Sequence, residues 1–593
     1  MIFGKHINRY YLRYAHILLL GLATLLMVDY VQMIIPHLFQ MVINGMNRGY
    51  VEIDGSHLAF DMDFLLDHIC VPMLIVTVCL VFGRFIWRCC FFGSAIKVET
   101  DIRNRMFDHA RNLSREYYQL NKVGNLMSLF TNDLDTVQDC YGWGIMMFCD
   151  ALFLTVLSVT KMWNMDHFLT LLTLIPMVFL LAASTLLGRY MMKKWDYRQA
   201  CFSKLSDFAQ ESFSGIAVIK AFVKEASELL AFRKLNVENE KANVDHTKAA
   251  VLLKILVQLF VESVVCVILL YGGYLVYTHR FNAGQLVEFI GYFSSVIWPI
   301  MAVAELVDMT SRGNASLKRL GTFLDAEQTV FDQPGVKELQ NVKGQIRFDH
   351  LTFRYPDGGE PVLKDITVTI EAGEKIGLVG KTGSGKSALV DLILRTYNVP
   401  EGTLFIDGQD VNHVSIRSLR EACAYVPQDN FLFSDTIAEN ISFGVAEGSR
   451  EDILEAAKLS DVHEDIQSFH KGYDTVLGER GVTVSGGQKQ RISIARALMK
   501  QAPILILDDS VSAVDTKTEE NIMGALKEVR QGKTTILIAH RASTIARMDK
   551  LLFLEDGCLT AVGTHQQLYE TCESYRKMVD MQRLEEEGGE SNA

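Results

Sequence analysis

A chain of 593 residues is too long for one hydrophobic core, so at least two domains are expected. A hydrophobic fraction of 49% and a mean hydropathy of +0.15 are high for a wholly water-facing chain of this size and point to membrane spans. A net charge of −12 and a pI near 5.7 argue against a nucleic-acid partner gripped through its phosphates, and 11 scattered cysteines without metal-ligand spacing argue against a disulfide scaffold or a metal site.

The chain opens with Lys5, Arg9 and Arg13 among aromatic and aliphatic residues, the pattern of an amphipathic segment on the inner membrane surface. No small-residue cleavage site follows the first apolar run, so no removable leader is expected. Apolar stretches at 16–44, 64–92, 141–163, 168–188, 251–277 and 285–309 are each long enough to cross a bilayer, with Pro36 read as a kink in the first. Cys89 and Cys90, adjacent in the second, read as small buried hydrophobes.

Lysine and arginine orient these crossings. Segment 96–138 holds Lys97, Arg103, Arg105, Arg111, Arg115 and Lys122, and segment 189–248 holds Arg189, Lys193, Lys194 and Arg198, so both lie in the cytoplasm. Segment 47–63 on the other side is acidic, with Glu52, Asp54, Asp61 and Asp63. Apolar residues at helical spacing, such as Met106, Ala110 and Leu113, predict that the membrane helices continue past the bilayer and are joined by short transverse helices. Glycine interruptions at 122–126 and 213–216 mark candidate contact points with a soluble domain. Ionisable residues inside the spans are Asp29, Arg84, Arg88, Asp150, Glu262 and Glu305. Arg84 and Arg88 share a helical face, which fits either an aqueous cavity or pairing with Glu262 or Glu305.

The long apolar runs end near Asp325. The expected division is a membrane domain at 1–325, a polar connector at 326–343, a soluble domain at 344–582 and an acidic tail at 583–593. Strand-like runs at 346–353, 366–370, 376–379, 404–406, 504–507 and 535–538 alternate with helical stretches, which predicts an α/β domain.

Within it, Gly380-Lys381-Thr382-Gly383-Ser384-Gly385-Lys386-Ser387 fits G-x-x-x-x-G-K-[ST] between a strand and a helix. The glycines let backbone N–H groups surround a triphosphate, Lys386 reaches the outer phosphates, and the Ser387 hydroxyl is placed to ligate magnesium. A second motif, Ile504-Leu505-Ile506-Leu507-Asp508-Asp509, ends a strand in two carboxylates. Asp508 suits the magnesium shell, and Asp509 suits the water that attacks the phosphate.

Val484-Ser485-Gly486-Gly487-Gln488 resembles the signature of ATP-binding cassette proteins, and the motif order matches that superfamily across the soluble domain. The resemblance implies that Tyr355 stacks on adenine, that Gln428 reaches magnesium, that Asp515 lies at a dimer interface and that His540 contacts the terminal phosphate. Gly478-Glu479-Arg480-Gly481 and the run from Asn282-Ala283-Gly284-Gln285-Leu286 to Arg319 resemble exporter segments. The implied fold is multidomain: an all-α, six-helix transmembrane domain followed by an α/β P-loop ATPase in one chain. The implied cofactors are ATP and Mg2+, and the implied location is the cytoplasmic membrane, crossed several times, with the ATPase domain inside the cell.

In that family one chain's signature closes over a nucleotide held by another, so a chain with one ATPase domain must dimerise. Asp509 stands where active members carry glutamate, beside an intact signature. That combination resembles the degenerate-site subunit of bacterial heterodimeric multidrug exporters, with slow hydrolysis at this chain's own site and a partner chain carrying the glutamate. The implied cargo is amphipathic: drug-like, lipid or peptide. A homodimeric exporter, a lipid flippase and an ATP-gated channel or regulator are the alternatives.

Overall fold

The first apolar run forms two helices rather than one kinked helix. Helix α1 spans Ala15–Gln32 and α2 spans Ile34–Arg48, with Pro36 in the first turn of α2. Proline has no N–H to donate, and its ring collides with the carbonyl four residues back, here that of Gln32. The first helix therefore stops there, and the proline occupies a turn whose N–H groups need no intrahelical partner.

The computed structural model describes residues 2–53, 56–478, 481, 484–512, 514–539 and 541–590. It consists of two units, one formed by Met1–Arg111 with Val123–Ala326 and the other by Asn112–Lys122 with Glu327–Ala593.

The first unit is helical. After α2 a short antiparallel hairpin, Tyr50–Ile53 with Ser56–Ala59, occupies the acidic loop. The chain continues through α3 (Val71–Asn112), α4 (Leu134–Met165), α5 (His167–Ser214), α6 (Glu225–Tyr277) and α7 (Ala283–Leu324). At 1.5 Å per residue α6 is about 80 Å long, against roughly 30 Å of hydrocarbon, so these helices run far beyond the bilayer. Among the described residues five helical stretches are long and apolar enough to span, and the remaining predicted crossing falls in α5, whose described apolar part is His167–Phe179. Helices α4 and α7 pack together, as do α5 and α6, around Met33, Leu154, Met162, Ile268, Phe289, Tyr292 and Phe293. Beyond the spans, Asp133 accepts from Ser316 Oγ at 2.7 Å and from Arg319 Nε at 3.1 Å, tying α7 to the turn before α4.

The N-terminal segment is held by protein. Ile2, Ile7 and Tyr10 are buried, Lys5 pairs with Asp325 at 2.9 Å, and Arg13 pairs with Asp101 at 2.8 Å. Lys5 and Arg13 thus meet carboxylates on the helical extensions.

The second unit holds two sheets. Strands β1 (Ile346–Phe353), β2 (Leu363–Ile370), β4 (Leu404–Ile406) and β5 (Gln409–Asp410) form an antiparallel sheet in the order β2-β1-β4-β5. Strands β3 (Lys375–Gly380), β6 (Cys423–Val426), β7 (Ile504–Asp508), β8 (Thr534–Ile538), β9 (Lys550–Glu555) and β10 (Cys558–Gly563) form the main sheet in the order β10-β9-β3-β8-β7-β6. All its pairings are parallel except β9 with β10. Each run predicted as a strand is one. Strands β7 and β8 are buried along their whole length, as expected for a parallel sheet covered on both faces.

Candidate nucleotide-binding site

The order of the main sheet decides where the motifs meet. Strand β8 lies between β3 and β7, with Ile538 paired to Leu378 on one side and to Asp508 on the other. All three run parallel, so the loop after β3, the carboxylates ending β7 and the segment leaving β8 emerge side by side at the carboxyl edge. That edge is where open α/β sheets bind ligands.

Backbone geometry shapes the loop after β3. Gly380 has φ 153°, and a Cβ there would stand 2.2 Å from the Leu554 carbonyl oxygen and 2.6 Å from Ser384 Oγ, so any side chain would fill the cradle. Helix α8 (Lys386–Ile393) starts directly after the loop. Lys386 is only 7% exposed and donates from Nζ to the carbonyls of Gly380 and Lys381, each at 2.8 Å. Burial pushes its pKa down, while Asp508 and Asp509 pull it back up. Ser384 is buried, and its hydroxyl has no hydrogen-bond partner among the described residues. A glycine-rich loop with an orphaned hydroxyl and a buried ammonium is fitted to phosphate oxygens. Thr382 and Gly383 lie on the same loop, Gly383 with φ 84°.

At the end of β7, Asp508 is buried and accepts a hydrogen bond from the Ser387 hydroxyl. Burial raises its pKa; the Ser387 bond and Lys386 work against that rise. A hydroxyl and a carboxylate in contact are the oxygen donors that magnesium takes. Asp509 sits in the left-handed region with φ 47°, a conformation aspartate tolerates better than most residues. Its N–H donates to the Ile538 carbonyl at 2.9 Å, and its carbonyl accepts from Ser512 Oγ at 3.0 Å, so the backbone that aims its carboxylate is fixed. Gln428, two residues past β6, is exposed at the same edge of the sheet.

The Val484–Gln488 motif begins helix α9 (Gly486–Met499). Ser485 is its N-cap in a reciprocal capping box: Gln488 N–H donates to Ser485 Oγ at 3.2 Å, and Ser485 N–H donates to Gln488 Oε1 at 3.0 Å. Ser485 and Gly486 are exposed, and a Cβ on Gly486 would meet nothing within 4 Å. Gly487 is half-buried in the same turn. Asp515 caps helix α10 (Thr516–Val529) by accepting from Thr518 N–H at 3.0 Å, which holds its pKa below the ordinary value.

Tyr355 packs edge-on against Phe353 and Tyr397, with centroids 5.1 and 5.2 Å away. Burial, and then the charge of Asp391, push its phenol up to about 12. His540 lies outside the described residues, as do Glu479, Arg480 and Ala513.

Two side-chain groupings at this site were not read from the sequence. Arg115, on the short helix Arg115–Leu120, pairs with Asp391 of α8, and Tyr397 donates its hydroxyl hydrogen to Gln119 Oε1. The cytoplasmic turn after α3 is therefore bolted to the helix that starts at Lys386. It lies just ahead of the predicted contact at 122–126. Glu519 of α10 is buried and accepts from Arg541 Nη1 at 2.9 Å and from the Thr544 hydroxyl, fixing the chain that follows β8. A signal existed for both: Asp391 interrupts the apolar run from Ala388 to Ile393, and Glu519 falls on the same stripe as Ile522, Met523 and Leu526.

The spans' ionisable residues separate into two groups. Asp29 is buried, Arg84 donates to Gln32 Oε1 at 3.1 Å, and Asp150 accepts from Trp298 Nε1 at 2.9 Å. Arg88 lies over the Trp87 ring at 5.3 Å, and Glu262 and Glu305 are exposed, so neither arginine takes the glutamate pairing considered from the sequence.

Comparison with known proteins agrees with this layout. Residues 18–300 match the ABC transporter transmembrane region family, and residues 363–512 match the ABC transporter family. Over 99% of its length the chain is 34% identical to a protein of Bacillus subtilis described as the probable multidrug resistance ABC transporter ATP-binding/permease protein YheI, covering 98% of it. It is 32% identical to the multidrug resistance-like ATP-binding protein MdlA of Escherichia coli, over 95% of this chain and 94% of that one. Among solved structures, a bacterial Atm1-family ABC exporter with ATP bound matches with a TM-score of 0.77 and 25% identity, over 97% of this chain and 99% of that chain.

Proposed function

Since this chain belongs to the ABC transporters, with an exporter's membrane and ATPase domains on one polypeptide, we propose that it is the slow-site half of a heterodimeric pump for amphipathic cargo. Hydrolysis of ATP by its ATPase domain is coupled to transport across the membrane.

In this reading the loop from Gly380 to Ser387 holds the triphosphate, Lys386 turns its ammonium from the loop carbonyls to the outer phosphates, and Tyr355 supports the adenine. Ser387, Asp508 and Gln428 would hold magnesium, which when bound offsets the negative charge of the phosphates. Asp509 orients the attacking water, and His540 donates to the developing charge.

The observation that carries the asymmetry is the pairing of Asp509 with a complete signature. The aspartate side chain is one methylene shorter than glutamate, so its carboxylate stands back by about 1 Å, a misplacement able to cost roughly a hundredfold in rate. Ser485 to Gln488 remain a well-formed helix start, with Ser485 and Gly486 exposed and open space at Gly486. A poor base beside a sound signature fits a chain that completes the hydrolytic site of another.

A second feature supports dimerisation. The turn between α5 and α6 carries the short helix Ile216–Ala221, and Phe213, Ile216, Val218 and Phe222 around it are all exposed. Apolar side chains clustered at a cytoplasmic tip call for a covering surface, and a partner's ATPase domain supplies one.

Purification of the native complex through this chain, followed by mass spectrometry, tests the reading. A second ABC chain with glutamate at the position of Asp509 is expected. Recovery of this chain alone, with brisk turnover, would establish the homodimer instead.

A further inference from the structure

Asp29 lies in the last turn of α1 and is only 2% exposed, yet its Oδ2 has no hydrogen-bond partner among the described residues. It lines a cavity of about 370 Å³ among the membrane helices together with Gln32, Arg84, Trp87, Asp150 and Trp298. That volume lies within the range of small-molecule sites. A carboxylate inside a membrane domain is costly, and leaving one of its oxygens unsatisfied adds to the cost, so such a group is retained for what it binds.

The neighbours define the ligand's charge. Arg84 donates to Gln32, the Trp298 indole donates to Asp150, and the Asp29 and Asp150 carboxyl groups are hydrogen-bonded to each other within reach of the Arg84 charge. Among the described residues none of Asp29, Asp150 and Arg84 takes part in an ion pair. Two carboxyl groups sharing one proton beside one guanidinium can exchange that proton for the positive charge of a ligand. The walls beside them are Leu25, Val28 and Leu154 with the Trp87 and Trp298 rings, and Trp87 Nε1 is a second buried polar atom without a hydrogen-bond partner among the described residues. Aromatic faces next to a carboxyl pair that can release its shared proton attract an organic cation both through charge and through the ring quadrupole.

We propose that this cavity is the cargo subsite for the positively charged part of an amphipathic organic cation, with Asp29 as its counter-ion, Asp150 as the second carboxylate, and Trp87 and Trp298 as its walls. The inference rests on the export reading for its physiological meaning, but binding is measurable without transport.

The test uses the purified native complex without nucleotide and two lipophilic ions of matched size, tetraphenylphosphonium and tetraphenylborate, with affinities read by equilibrium dialysis. The cation should bind more tightly than the anion. Asp29→Asn should weaken the cation at least tenfold with little change for the anion, and Asp29→Glu should retain most of the affinity. Because a carboxylate variant can fail by misfolding, Arg84→Gln supplies the opposite sign: removing the local positive charge should tighten the cation several-fold, a gain that misfolding does not produce. Equal cation affinity in wild type, Asp29→Asn and Arg84→Gln would overturn the subsite. ATP-driven uptake of the cation into inside-out vesicles then separates the two claims: charge-selective binding through Asp29 with no uptake of any probe would sustain the subsite and remove the export reading.

Discussion

Two helix starts in the ATPase unit have opposite surroundings. Helix α8 begins inside the protein: Lys386 is buried and bound to two loop carbonyls, and the Leu554 carbonyl closes over Gly380. Helix α9 begins at the surface: Ser485 and Gln488 satisfy each other, Ser485 and Gly486 are exposed, and nothing lies within 4 Å of a Cβ built on Gly486. The first is a site the chain assembles from its own sheet. The second is a finished surface whose local structure asks for nothing more, so any chemistry it has must come from what covers it.

The difference is broken most sharply at Gly486. Within this chain Gly486→Arg meets no clash and requires no left-handed backbone, so it should leave thermal stability within about 0.5 kcal/mol of wild type. If a partner's nucleotide docks on α9, the same substitution should lower turnover of the assembled complex about a hundredfold or more, while nucleotide binding at the Lys386 loop persists. A complex whose ATPase rate ignores the arginine would place α9 away from any nucleotide. Next in size is Asp509→Glu, which restores the missing methylene and should raise phosphate release from this chain's own pocket by ten- to a hundredfold. Part of that gain is offset by strain, because glutamate tolerates the left-handed φ of 47° less well than aspartate. Single-turnover measurements with the partner's base removed isolate the pocket in question; an unchanged rate would mean that carboxylate reach is not what limits it.

How much of this was visible in the chain follows the range of the interactions. The Gly380 to Ser387 loop, the Asp508-Asp509 strand end and the Ser485 helix start are local patterns, and each lies where its flanking residues put it. The break at Met33 is also local, and reading Pro36 as a kink underestimated it: a proline three residues into a fresh helix costs little, whereas one inside a continuous helix costs about 3 kcal/mol. Arg115 with Asp391, Gln119 with Tyr397, and Asp29 with Asp150 and Arg84 join residues distant in sequence. Periodicity gave the face on which each sits and left open what faced it. Hence Arg115 read only as one of several cytoplasmic cations, and Arg84 read as equally suited to a cavity or to Glu262.

The smallest expected effect compares the α9 cap with the other exposed helix start near the site, that of α10. Both caps accept an N–H bond from the third residue of their helix, but Ser485 does so with a neutral hydroxyl and Asp515 with a carboxylate. The Thr518 N–H holds the Asp515 pKa below the ordinary aspartate value. A depressed folded-state pKa means that the stabilisation is complete above the unfolded-state value of about 3.9 and is lost as pH falls through the lower folded-state value. The first turn of α10 should therefore exchange its amide hydrogens more readily as pH drops across that window, after correction for intrinsic exchange. The first turn of α9 should not. Asp515→Asn should remove the pH dependence while keeping most of the cap, since asparagine is as good an N-cap, and Ser485→Ala should loosen α9 by about 1 kcal/mol at every pH. If the two turns loosen in parallel on acidification, the cause is general acid unfolding rather than the charge on one cap.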